Sequence, residues 1–393
     1  MPQSRLFRLL ILALVVMMTV APAAALQAQE DRVIRIGLNV PLTGPIALIG
    51  EGYRWGVTLA IEDLGGEIDG YRLELIEADN KCNPTDTINA TRRLVEVDEV
   101  HVMIGGGCSS ASVAAMPILL ESETPMVCGS STTPRLWAEM GDDANPWFFR
   151  VNPDDLIMAQ AFSSYIAERA STISLIADNN DFGRGAMGAY KPLLEAAGVT
   201  IVSEDYFDPG TADYRPALTR IRAADPEAIL MVTLERDGAT LMRQIREVGL
   251  TQQLFSRGSI VSPLFLELTQ DDPTIGEGVL EFSFWAAGMD PEQDANFQAR
   301  WERPNSPHRG MSYYVMYYAV AEAIRNAIAS GEVTRASIRD GLAAVDIEET
   351  PIGSIRFDDH NQNYPNGTLA TIRDGAIQFV DRIPLVPVEG RES

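Results

Sequence analysis

HVMIGGGCSSASVAAMPILLESETPMVCGSSTTP, residues 101–134, contains a whole strand–helix–strand unit. His101–Ile104 is a short apolar run that reads as a strand. Gly105-Gly106-Gly107 then lets the chain turn tightly, since glycine adopts positive φ without steric cost. Ser109–Glu121 predicts a helix, and Met126–Cys128 a second strand. Two strands joined by one helix run parallel in a shared sheet. The turn brings Ser109 and Ser110 to the helix start. Backbone N–H groups and the positive end of the helix dipole there suit a carboxylate. Gly129-Ser130-Ser131-Thr132-Thr133-Pro134 repeats the arrangement one strand later, so two hydroxyl-bearing loops converge on one sheet edge.

The alternation extends in both directions. Upstream lie strand Val33–Val40, helix Gly50–Leu64, strand Arg72–Glu77 and helix Pro84–Val97, with proline in its first turn. Downstream, strand Trp147–Val151 closes the first pass. The second pass runs through helix Asp155–Arg169, strand Ile173–Ala177, helix Asp181–Ala196 and strand Thr200–Tyr206. It continues with helix Tyr214–Ala223, strand Ala228–Thr233, helix Gly238–Val248 and the short strand Leu254–Phe255. Two passes of similar length predict an α/β fold with two Rossmann-like lobes, each a parallel sheet covered on both faces. Past Gly278 come strand Val279–Phe284, helices Asn296–Glu302, Met311–Ala329 and Ala336–Ala343, and hairpin material at Ile355–Asp358 and Thr368–Ile377. This tail has too little strand for a third sheet and is expected to return over the lobes. Several crossings make a hinge. A cleft between strand C-termini follows, and open α/β sheets bind ligands there.

The expected division is a signal peptide over residues 1–25, an N-terminal lobe from 26–150 plus 284–354, and a C-terminal lobe from 151–283 plus 355–393. Arg5 and Arg8 precede the apolar run Leu9–Val20, and small residues surround Pro22. That order is a secretory signal, cut after Ala25 or after Ala28. The apolar run is about 12 residues, short of the roughly 20 that span a bilayer. Export places the cysteines in an oxidising space. Cys82 and Cys108 fall in loops just beyond strands at one sheet edge, which predicts a Cys82–Cys108 bridge with Cys128 buried and free. Such a bridge adds roughly 3 kcal/mol on the chain-entropy model.

Lys and Arg number 31 against 55 Asp and Glu, a formal net charge of −24. Such a chain repels phosphate backbones and anionic lipid, so no nucleic acid is expected as partner. The sequence has no G-x-S-x-G elbow, no phosphate-binding G-x-x-x-x-G-K-[ST] and no dinucleotide fingerprint. Its three histidines show no metal-ligand spacing. No enzyme, metal or cofactor is therefore expected. Tyr313, Tyr314, Tyr317 and Tyr318 stand at helical spacing and read mainly as core, with one member free to face the cleft.

Five stretches carry a resemblance: IRIGLNVPLTGPIALIGEGYRWGVTLAIEDLGG (34–66), NKCNPTDTINATRRLV (80–95), IGGGCSSASVAAMPILLESETPMVCGSSTTP (104–134), NNDFGRGAMGA (179–189) and DYRPALTRIRAADPEAILM (213–231). In these the chain resembles the type I periplasmic binding proteins of branched-chain and hydrophobic amino acid ABC transporters. The resemblance implies two lobes joined by three crossings, closing on a ligand that is passed to an ABC permease. It also implies a disulfide between Cys82 and Cys108. It places the ligand carboxylate on Ser109, and carboxylate and amino group on Ser130 and Thr132. It puts the family's second-lobe tyrosine on Phe182 and a late-helix aromatic on Tyr313. Three family positions are changed. The acid that meets the ligand ammonium falls on Gly258, a second tyrosine on Leu234, and a first-lobe aromatic on Ile49. Asp178, Glu235 or another acid is then expected to replace it, or the ligand lacks an ammonium. Arg236 and Arg257 near the same edge make an organic or aromatic carboxylate the alternative. A ligand sensor on the same fold is the rival to a transport receptor.

Overall fold

A computed structural model describes residues 32–388 apart from 45, 285, 287 and 302–309. The expected signal peptide, residues 1–25, and both cleavage positions lie outside the described residues. The first sheet contains β1 (Val33–Val40), β2 (Glu67–Ile68), β3 (Tyr71–Asp79), β4 (Val102–Gly105), β5 (Met126–Cys128) and β6 (Phe148–Arg150). Its order is β2-β3-β1-β4-β5-β6, parallel except for the β2–β3 hairpin. One face packs on helices Ala47–Asp63, Gly310–Ser330 and Arg335–Ala343 through Leu38, Val57, Val320 and Leu342. The other packs on helices Pro84–Arg92 and Ser109–Ser122 through Met103, Leu119 and Met126.

The second sheet begins with β7 (Thr172–Asp178), β8 (Thr200–Phe207), β9 (Ala228–Thr233), β10 (Gln253–Gly258) and β11 (Leu280–Ser283), all parallel. The short pair β12 (Asp346–Ile347) and β13 (Ile355–Arg356) stands apart as a small third sheet, which the tail was not expected to form. The hairpin β14 (Gly367–Arg373) and β15 (Ala376–Ile383) adds two antiparallel strands beyond β11, giving the order β15-β14-β11-β10-β9-β7-β8. Asp374 and Gly375, both at positive φ, make its tight turn. Helices Asp155–Ala167 and Asp181–Ala196 cover one face, and Arg215–Ala224 and Glu235–Glu247 the other. This is the expected α/β architecture.

Core membership places the crossings. Phe284 and Ala286 pack with the second sheet, whereas Ile355 and Phe357 pack with the first. Those four residues sit on the other side of the boundaries expected at 283/284 and 354/355. Alternating apolar residues define a strand but not which of two similar cores receives it. The last crossing runs beside the first, where Arg150 N–H donates to the Asn361 carbonyl and Asn363 N–H to the Arg150 carbonyl. A π-helical turn, Arg93–Val97, ends the expected helix 84–97. Arg335 donates to the Val95, Val100 and Ser122 carbonyls and so fastens that end.

Candidate functional site

The C-terminal ends of β4 and β5 face those of β7, β9 and β10 across a cavity of about 310 Å³. On the first side the glycine turn sets the backbone. Gly106 and Gly107 take φ of 91° and 73°. A Cβ on either would come within 2.2 Å of Ser112 Oγ or Pro41 Cδ, so the strand-to-helix turn admits no side chain there. Helix Ser109–Ser122 then starts behind Cys108, an extended N-cap whose side chain caps nothing. Other helices of the chain are capped by Asn83, Asp154 and Asn180. The N–H groups of this first turn thus keep capacity for an anion. Ser109 Oγ accepts Thr133 N–H at 3.3 Å, which ties the two hydroxyl loops together. Ser130 is held by Tyr53, whose hydroxyl donates to Ser130 Oγ at 2.8 Å and accepts Gly129 N–H at 3.1 Å. The Cys82–Cys108 disulfide lies in the cavity wall with Cα atoms 5.9 Å apart, and Cys128 is free and buried, both as expected.

The opposite wall mixes apolar and charged groups. Phe182, Pro209, Leu234 and Leu264 supply apolar surface, joined from the first side by Ile46, Leu48 and Ile49. Arg257 is buried and ion-paired to buried Asp155 at 2.8 Å, with its guanidinium 5.6 Å from the Phe182 ring centre. Burial pushes the Asp155 carboxyl up to about 6, against the pull of Arg257. Burial pushes Asp178 up to about 7, and neighbouring Asp237 adds to the rise, while Thr233 and Asn180 oppose it. Among the described residues no group of three His, Cys, Asp or Glu could hold a metal. The cleft sets hydroxyls and helix-start N–H groups on one strand edge against a mixed apolar and charged wall on the other, an arrangement that can accept a small molecule with an anionic group.

A family model described as periplasmic binding protein matches residues 33–376. The chain belongs to the periplasmic binding protein family. This binding protein is 30% identical over 281 residues to the amino acid binding protein of Pseudomonas aeruginosa, covering 70% of this chain and 73% of that one. It is 25% identical over 346 residues to the leucine-, isoleucine-, valine-, threonine-, and alanine-binding protein of the same organism, covering 87% and 90%. Its fold matches the solute-binding protein of an R. palustris ABC transporter solved in complex with benzoate, with a TM-score of 0.81, 16% identity and coverage of 91% and 98%.

Ser109, Ser110, Ser130, Thr132, Ile49, Phe182, Leu234 and Gly258 all line the binding protein's cavity. Tyr313 does not. It is fully buried in the first core, stacked on Tyr53 with ring centres 3.6 Å apart. The helix that carries it lies too close to helix Ala47–Asp63 for the ring to turn outward. A Cβ on Gly56 would stand 2.4 Å from the Gly310 carbonyl oxygen. Tyr313 therefore backs Tyr53, which in turn positions Ser130. Tyr53 is the residue the sequence reading missed, because an aromatic on a buried helix face looks like any other core residue. Gly258 has no room for a side chain, since a Cβ would lie 1.9 Å from the Thr233 carbonyl oxygen.

The raised acids set a pH dependence. Asp155 and Asp178 bind protons more tightly folded than at the ordinary 3.8 of the unfolded chain. Their contribution is complete below about 4 and is lost as pH rises through 6 and 7. Ligand-free protein should therefore be more stable to urea at pH 5 than at pH 7.5, and Asp178→Asn should flatten that slope. Equal slopes in the two proteins would contradict the placement of Asp178.

Proposed function

We propose that this chain is a periplasmic receptor that captures a small amino acid by its carboxylate and delivers it to an ABC permease. The carrying observation is the uncapped start of helix Ser109–Ser122, set beside Ser130 and Thr132 and facing Phe182 and Leu234 on the second sheet's mixed wall. Ser109, Ser110, Ser130 and Thr132 hold the carboxylate in this reading. Ile49, Phe182 and Leu234 enclose the side chain. The N-terminal segment directs export and is removed. The two lobes rock about the three crossings, and ligand favours the form in which both walls touch it. Contact between the walls already occurs where Gly185 packs on Thr133 and Pro134.

A thermal-shift screen across amino acids, amides, aliphatic carboxylates and aromatic carboxylates tests the reading, since a ligand raises apparent stability by mass action. Stabilisation by no member of the panel would remove it. Ser109→Ala and Thr132→Ala should each weaken binding of the best amino acid by about 1.5–3 kcal/mol, the range for a hydrogen bond to a charged group. Calorimetry measures this, and unchanged affinity in both variants would exclude that edge as the carboxylate site. Arg257 in the wall favours a second reading, an aromatic or other organic acid without an amine, as in the benzoate complex of the R. palustris protein. The same screen separates the two.

A further inference from the structure

Helix Asp181–Ala196 carries three glycines in its first half, Gly183, Gly185 and Gly188. Glycine inside a helix is destabilising relative to alanine, so each calls for a reason. Gly183 has a local one, since a Cβ would lie 2.0 Å from the Asp178 carbonyl oxygen where the chain leaves β7. Gly188 is exposed, and a Cβ there would meet nothing within 4 Å. Gly185 faces the loop after β5. A Cβ on it would stand 2.7 Å from Thr133 Oγ1 and 3.2 Å from both Thr133 Cβ and Pro134 Cδ. That loop belongs to the first sheet, whereas the helix packs on the second through Ala186, Met187 and Tyr190. The close approach is therefore one of lobe to lobe. Neither Gly185 nor Thr133 is among the residues that line the cavity.

Both sides of this contact are firmly held. In the loop, three successive carbonyls are fixed by the first crossing. Ser131 accepts Asn152 Nδ2 at 3.1 Å, Thr132 accepts Asp155 N–H at 2.8 Å, and Thr133 accepts Arg150 at 3.1 Å. Thr133 N–H in turn donates to Ser109 Oγ. On the helix, Ala186, Met187 and Tyr190 are fully buried. A side chain at position 185 would then be accommodated by parting the lobes, because packed cores do not deform by that much. Leu234, at the end of β9, makes a second contact of the same kind by packing against the first core.

We propose that Gly185 is the closing stop of the receptor: its bare Cα lets the lobes seat on Thr133 and Pro134, and so sets the closed population and, by one common factor, the affinity for every ligand. This rests on the rocking of two lobes in the reading above and assigns its extent to a residue outside the cavity. A receptor whose competent form is only partly populated binds more weakly by that fraction, whatever the ligand.

The test uses the mature protein with spin labels on Glu121→Cys and Glu195→Cys, exposed positions on helices of the two lobes. Distances are measured by electron double resonance in buffer and in a mixture of the twenty amino acids with benzoate. Wild type and Gly188→Leu should share one shortest distance. Gly185→Leu should lose it, Gly185→Ala should lose part of it, and Thr133→Gly should restore it to Gly185→Ala by clearing the facing side chain. Calorimetry should show Gly185→Leu weaker for each ligand in the mixture by the same factor, about 10-fold for a tenfold drop in closed fraction. Retention of the wild-type shortest distance in Gly185→Leu overturns the proposal. So does an equal loss in Gly188→Leu, or a loss of affinity confined to one ligand. A mixture that changes neither the distances nor the melting temperature removes the receptor reading instead, and the comparison of wild type with Gly185→Leu in buffer still decides the stop.

Discussion

Arg150→Met should lower the free energy of unfolding by about 3–5 kcal/mol, the cost of stranding a buried charge. Arg150 is fully buried. Its Nε donates to Gln362 Oε1 at 2.6 Å, one terminal nitrogen to the Thr133 carbonyl at 3.1 Å, and the other to Asp154 at 3.2 Å. Asp154 is equally buried and caps helix Asp155–Ala167 through Leu156 and Ile157 N–H groups. Gln362 Nε2 donates onward to the Asn152 carbonyl at 2.9 Å. One guanidinium thus joins the first crossing, the last crossing and the loop after β5. Its loss leaves the Asp154 carboxylate without its ion-pair partner. Arg150→Met combined with Asp154→Ser should recover much of the loss, because serine still caps the helix and carries no charge. Urea titration reads both, and a single-variant loss under about 1 kcal/mol would show that the pair is dispensable.

Arg257→Met should cost a similar amount, about 3–5 kcal/mol, but only at alkaline pH. Here the stranded partner is Asp155, already raised to about 6 while Arg257 is present. Without the arginine it rises further, and below that value Asp155 is neutral and carries no unpaired charge. The destabilisation should therefore be large at pH 8.5 and small at pH 5. The same deficit at both values would mean that the arginine acts through packing on Phe182 rather than through charge. Replacing both partners, Arg257→Met with Asp155→Leu, should remove the pH sensitivity of this step.

Much of this molecule is legible in its residue pattern because periodicity and punctuation are local signals. Apart from the two-residue β2, the strands from β1 to β10 announce themselves as short apolar or alternating runs, β4, β5, β9 and β10 ended by glycine or a hydroxyl, and many of the helices by their apolar stripes. The hydroxyl loops at 105–110 and 129–134 are readable for the same reason. What escapes is decided at long range. Arg150 looks like any basic residue at a strand end, and only the return of Gln362, more than two hundred residues later, makes it a hinge fastener. Tyr313 has a binding residue's position in the resemblance, yet the close approach of Gly56 to Gly310 turns it into a support for Tyr53. Asp178 is one candidate acid among several, and its raised proton affinity comes from burial and from nearby Asp237, which no spacing encodes.

Cys108 has two neighbours that matter: Cys82 through sulfur, and Ser109 through the chain, at the uncapped head of helix Ser109–Ser122. The covalent tie therefore fixes the cradle as well as the fold. Material made in a reducing cytoplasm should keep its two sheets and yet present a slack mouth to the cavity, so that an oxidising compartment is what this cradle needs to hold its shape.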